Sequence, residues 1–139
     1  ALIEGTVRCF DNDTRIHIEK QLKRYAEQTA SIYGATAQVE YIRGTQAVSN
    51  DTYSARLVQK VASEAFGEDS IYDEKPTMGG EDFSFYLDVV PGCFALVGCG
   101  NHEKDTEWSH HHGRFNIDED ALVVGAELYA QYAWVYLNE

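Results

Sequence analysis

The start of the chain places a long helical pattern between two alternating stretches. That order restricts the fold more than any other feature of the sequence. In "IEGTVRCF" (residues 3–10), Ile3, Val7, Cys9 and Phe10 stand with polar residues between them, which reads as a strand. "DNDT" follows as a turn, where Asn12 or Asp13 is placed to N-cap a helix. Ile18, Leu22, Tyr25, Ala26, Thr29 and Ile32 then recur at three- and four-residue steps. They form one apolar face that ends at Gly34, a good residue to stop a helix. "ATAQVEYIRG" alternates again. A β-α-β order with a helix long enough to cross back over a sheet predicts an α/β fold.

The small polar stretch "GTQAVSND" separates this unit from the rest of the chain and marks a domain boundary, giving residues 1–49 and 50–139. Beyond it, Asn50 or Asp51 opens a second helix with Leu57, Val58, Val61, Ala62, Ala65 and Phe66 on one face, closed by Gly67. "GGEDFSFYL" turns sharply at Gly79-Gly80 and starts a short helix near Asp82. Residues 93–97 are an apolar run of strand length. A polar loop with three consecutive histidines leads into a last helix. Its acids sit in the first turn, and its expected buried stripe is Leu122, Gly125, Leu128, Tyr129, Tyr132 and Tyr136.

Apolar residues make up 44% of the chain, enough for a real core. A net charge of −12 repels nucleic acid and anionic membranes, so neither is an expected partner. No apolar run is long enough to span a bilayer, and no signal peptide is visible. Cys9, Cys93 and Cys99 are odd in number and lack CxxC spacing, which suits reduced thiols in a cytoplasmic protein. Ala1 is not Met and the opening reads as mid-strand, so the chain is expected to be a segment of something longer.

Three features carry chemical interest, each beside a plainer explanation. His110, His111 and His112 lie on a loop between an apolar strand and a helix, where α/β proteins place functional groups. Histidine is a common zinc ligand, but a zinc site needs three or four protein ligands, and a solvated polar loop explains the run equally simply. "TMGGED" could bring backbone N–H groups close to a carboxylate, or could simply be a tight turn with Glu81 and Asp82 as first-turn acids. Arg8 faces the opposite side of its stretch from Val7 and Cys9. It could bind a carboxylate bidentately or form a surface ion pair.

Their order along the chain adds a further reading. "GTVRCFD", "YIRG", "MGGEDFSFYL…PGCFALVGCGN" and "HHGRFNIDEDALVVGAELYA" together resemble the C-terminal part of a metal-dependent amidohydrolase. The family is that of hippurate hydrolases and N-acyl-amino-acid amidohydrolases, within the aminoacylase and dinuclear-zinc carboxypeptidase group. The resemblance covers essentially the whole chain. It implies that residues 1–49 are the second half of a ferredoxin-like lid and dimerisation domain with its hinge. It likewise implies that residues 50–139 are the C-terminal part of a catalytic domain holding two zinc or manganese ions.

Carried over by position, His111 matches the metal-ligand histidine, with His112 as the alternative. Gly79 and Gly80 match the turn beside the substrate carboxylate, Glu81 an acid that orders the site, and Arg8 a lid arginine that reaches that carboxylate. The implied reaction is metal-assisted hydrolysis of an N-acyl amino acid or dipeptide. The other ligands and the general-base glutamate match nothing in these residues, so the isolated chain is expected to be metal-free and inactive, and to form a homo-oligomer. Two competing readings are a non-catalytic dimerisation or binding module and a small metal-binding protein built on the histidine loop.

Overall fold

The computed structural model describes residues 1–138. Its elements are α1 (Asn12–Ile32), α2 (Thr52–Phe66), a single 3₁₀ turn (Glu68–Ser70), α3 (Ser84–Leu87) and α4 (Asp120–Asn138). Two compact units share them: Ala1–Ser49 with Lys75–Pro91, and Asn50–Glu74 with the chain from Gly92 onward.

The α/β expectation is overturned. Among the described residues there is no β-strand, and the fold is helical. Alternation shows which side of an extended segment is apolar, but a strand exists only when its N–H and C=O groups meet those of another strand. Residues 3–10, 35–43 and 93–97 show no such ladder among the described residues. Side chains take the place of strand partners. The Asn50 carboxamide accepts from the Phe94 N–H at 2.8 Å and donates to the Phe94 carbonyl at 3.1 Å. Arg43, at the end of the second expected strand, is tied to α1 by Glu19. Its Nη2 lies 2.7 Å from a carboxylate oxygen that its Nε also reaches.

Helix boundaries follow local chemistry. Asp11, rather than Asn12 or Asp13, caps α1. Its carboxylate accepts from the Thr14 N–H at 2.7 Å and from the Thr14 hydroxyl at 2.8 Å. Asp51 caps α2 by accepting from the Ser54 N–H at 2.9 Å. These hydrogen bonds to the charged form, the backbone one first, hold both carboxyls below their usual range. Gly34 just past α1 has φ +68° and Gly67 at the end of α2 has φ +91°, where a side chain would be strained.

In the second unit, α2 packs against α4 and the 3₁₀ turn, and Leu57 and Val61 on that helix are the only apolar side chains fully buried among the described residues. Each such side chain stabilises by roughly 1.5–3 kcal/mol. The stripe expected on α4 does not form as predicted: none of its described residues is fully buried, and Leu122, Tyr129 and Tyr136 are exposed. Gly125, Leu128 and Tyr132 of that stripe are half-buried, in line with Ala121, Gln131 and Val135. Asp120 and Glu127 are the only charged residues of α4, so its composition marks no single face as the apolar one. On α1, Leu22, Tyr25 and Ile32 of the predicted face are also exposed. No described helix is long and apolar enough to cross a membrane.

Candidate functional site

In the first unit, the chain brings Arg8 close to Gly80. The sharp turn expected at Gly79-Gly80 does not form: residues 71–81 carry no turn or bend, neither glycine has positive φ, and the chain turns only from Asp82 into α3. A Cβ placed on Gly80 would lie 3.4 Å from Arg8 Nη2, 3.6 Å from its Cζ and 3.7 Å from Thr45 Oγ1. A glycine here thus leaves room for the Arg8 guanidinium to come close to the backbone. At Gly79 the nearest such contact is Thr77 Oγ1 at 3.8 Å.

Glu81 shapes the next step of the chain. Its carboxylate accepts from the Phe83 N–H at 3.1 Å, and its carbonyl accepts from the Ser84 hydroxyl at 2.8 Å. Ser84 is almost fully buried, so this bond fixes the start of α3. The Glu81 side chain is therefore spent on the backbone beside the turn.

A second arginine, Arg15, reaches the same region. Its Nη1 donates to the Thr45 carbonyl at 3.1 Å and its Nη2 to Asn12 Oδ1 at 3.1 Å. The buried Nε of Arg15 has no hydrogen-bond partner among the described residues. Thr45 thus places its hydroxyl near Gly80 and offers its carbonyl to Arg15. Sequence reading missed both residues. Arg15 stands in the first turns of α1, and Thr45 lies in the small polar stretch at residues 44–51.

The second unit carries the histidine loop, and its three imidazoles have different surroundings. The His110 ring meets Phe115 edge-on, with centroids 5.0 Å apart. The His112 ring stacks on Trp108 at 4.4 Å with 12° between planes, and its Nδ1 accepts from the Arg114 N–H at 3.1 Å. His111 makes no hydrogen bond, ion pair or ring contact with any described residue, and its backbone is left-handed at φ +66°. That conformation costs an L-residue on the order of 1–2 kcal/mol.

Around these rings, Asp105 accepts from the Trp108 indole N–H at 2.9 Å and pairs with the Arg114 guanidinium. That guanidinium lies over the Trp108 ring, 4.3 Å from its centroid. Asp105 is itself left-handed at φ +54°.

Where the loop meets α4, Lys104 Nζ reaches Asp118 Oδ1 and Asp120 Oδ2, both at 2.6 Å, and Asn101 Nδ2 donates to Asp118 Oδ2 at 2.7 Å. The Lys104 hydrogen bond, with Asn101 second, pulls the Asp118 carboxyl down to about 2. The same pairing raises Lys104. Burial pushes the Cys93 thiol up, which suits an unreactive cysteine.

Among the described residues, no three His, Cys, Asp or Glu side chains converge on a point that a metal ion could occupy. The described residues therefore form no metal centre of their own, and of the three loop histidines only His111 leaves its imidazole without a partner among them.

Residues 1–134 match the sequence profile described as Peptidase family M20/M25/M40. The N-acetylcysteine deacetylase of Bacillus subtilis is 34% identical over 138 residues, which cover 99% of this chain and 34% of that protein. Thermostable carboxypeptidase 2 of Saccharolobus solfataricus is 29% identical over 140 residues, covering 100% of this chain and 35% of that protein. A solved structure of the Bacillus subtilis YXEP protein is described as a dinuclear metal binding peptidase from the M20 family. It aligns with a TM-score of 0.73 at 29% identity, over 93% of this chain and 34% of that one. The chain spans about a third of the length of the curated relatives it matches.

Proposed function

Because this chain belongs to peptidase family M20/M25/M40, we propose that it works within a longer parent polypeptide that hydrolyses the amide bond of N-acyl amino acids or small peptides. The observation that carries this reading is the Arg8 guanidinium lying beside Gly80. It is a cationic fork beside exposed backbone, suited to the carboxylate that every such substrate bears. The names of the deacetylase and the carboxypeptidase among its relatives support the same substrate class.

In this reading Arg8 holds the substrate carboxylate, and Gly79 and Gly80 let it approach the backbone. Glu81 holds the backbone just after the glycines through the Phe83 N–H. Fixing the carboxylate orients the scissile amide, which is where positioning contributes to rate. His111 supplies one imidazole to a centre of divalent ions, zinc or manganese, that activates water and polarises the acyl carbonyl when bound. The remaining ligands and the general base come from elsewhere in the parent polypeptide. Residues 1–49 serve as the second half of a lid and dimerisation domain, and residues 50–139 as the C-terminal part of the catalytic domain. The assembly is a cytoplasmic homo-oligomer.

The test is hydrolysis by the parent polypeptide loaded with Mn²⁺ or Zn²⁺. Release of amino acid from hippurate or an N-acetyl amino acid is expected, with none from the 139-residue chain alone. Turnover by the isolated chain, or none by the loaded parent on any acyl amino acid or dipeptide, overturns the reading.

A further inference from the structure

The histidine loop sets apart one of three consecutive imidazoles, and the surrounding contacts show how. Both neighbours of His111 are tied down, His110 against Phe115 and His112 against Trp108 and the Arg114 N–H. Backbone bonds reinforce this, with the His112 N–H donating to the Ser109 carbonyl at 3.1 Å and the Phe115 N–H to the His112 carbonyl at 2.9 Å. His111, between them, takes the left-handed backbone and points no contact at any described residue. A strained residue held in place by its surroundings, with an uncommitted side chain, is what a presented ligand looks like.

Trp108 is the centre of this arrangement. It is half-buried, stacks with the His112 ring, lies under the Arg114 guanidinium and donates its indole N–H to Asp105. Asp105 closes the ring of contacts by pairing with Arg114, whose own N–H holds His112 Nδ1. Four side chains thus form one connected brace, all within the loop from Asp105 to Arg114.

We infer that Trp108, with Asp105 and Arg114, is a positioning residue that presents His111 to a divalent cation and withholds His112 from it. The inference rests on the proposed role of His111. The brace acts in two ways. It maintains the left-handed turn that projects His111, and it fills His112 Nδ1 with a backbone N–H. That bond leaves His112 as the Nε2–H tautomer, with no lone pair on either nitrogen open to a metal.

The experiment uses the parent polypeptide and Co²⁺ as the probe, read by chelator competition. Trp108→Leu is expected to weaken Co²⁺ binding roughly 10- to 100-fold, the range typical for loss of a group that orients a metal ligand. Trp108→Phe, which keeps the ring stack, should retain most of the affinity. A merely structural role predicts a lower Tm with unchanged Co²⁺ affinity in the variants that still fold. Imidazole ¹⁵N shifts of metal-free protein labelled at histidine give a second readout. At a pH where the rings are neutral, His112 should be the Nε2–H tautomer, and a mixed population in Trp108→Leu.

The outcomes separate the two ideas. If His111→Ala leaves Co²⁺ affinity intact, the role of His111 fails. Should His111→Ala abolish binding while Trp108→Leu binds as the unaltered protein does, only the brace fails. Arg114→Met, which keeps the side chain's length and loses its charge, tests the same brace if Trp108→Leu does not fold. Unchanged affinity there overturns the inference equally.

Discussion

Arg8 occupies the space beside Gly80 where a side chain would begin, with Nη2 of the arginine 3.4 Å from the position a Cβ on the glycine would take. They are far apart in sequence, and their approach sets a guanidinium beside backbone that carries no side chain. A methyl group just fits there, and anything larger pushes the guanidinium away.

Gly80→Ala is therefore expected to fold normally and raise KM for an N-acyl amino acid only slightly. Gly80→Val should displace Arg8 and raise KM about as much as Arg8→Ala does, on the order of 10-fold or more for loss of a charge-assisted contact. Steady-state kinetics on the parent polypeptide checks the ordering. Equal KM values for Gly80→Ala and Gly80→Val would remove the link between glycine and arginine.

Asn50 makes two hydrogen bonds to the backbone of Phe94, one as donor and one as acceptor. Asn50→Ala is expected to destabilise the protein by about 0.5–1.5 kcal/mol, the net value of solvent-exposed hydrogen bonds. Asn50→Asp keeps the acceptor alone and should fall between. Urea unfolding of the two variants measures both.

Leu57 is one of the two fully buried apolar side chains among the described residues. Leu57→Ala should cost about 2–5 kcal/mol, as other large-to-small core changes do. A loss under about 1 kcal/mol in thermal or denaturant unfolding would mean that the α2–α4 contact is not the core of its unit.

Acid should find the loop at Asp118. Its folded carboxyl titrates at about 2 because Lys104 and then Asn101 hydrogen-bond to the charged form. An unfolded aspartate titrates near ~3.9. The folded state then binds fewer protons, so this contribution is fully present above that value and is lost as pH falls toward about 2. Asp118→Asn should be less stable at neutral pH and show a flatter stability profile between about pH 4 and 2, measured by unfolding at a series of pH values.

Much of the helical part of the fold is legible in the sequence, because its signals are local. Gly34 and Gly67 end α1 and α2 in backbone conformations that favour glycine, and the apolar face of α2 reads directly from its spacing. The expected strands do not form because alternation describes a surface and not a partner. At Phe94 the partner is the Asn50 side chain. On α4 only Gly125, Leu128 and Tyr132 of the expected stripe are half-buried, because apolar residues surround the helix and no period stands out.

The candidate site divides in the same way. Arg8, Gly80 and the histidines can be singled out by residue type. Nothing local marks Arg15 or Thr45, whose relevance lies in a contact across α1 and the polar stretch after residue 43. Nor can spacing tell which of three adjacent imidazoles is left uncommitted, since that depends on Trp108 and Arg114 folding back over the loop.

Trp134 stands 72% exposed on α4, among apolar neighbours that are exposed as well. The only other tryptophan, Trp108, is half-buried under an arginine. The molecule therefore carries its own optical gauge. Any surface laid over that side of α4 removes water from the Trp134 indole and moves its emission toward the blue, so coverage of the helix can be followed in solution without a label.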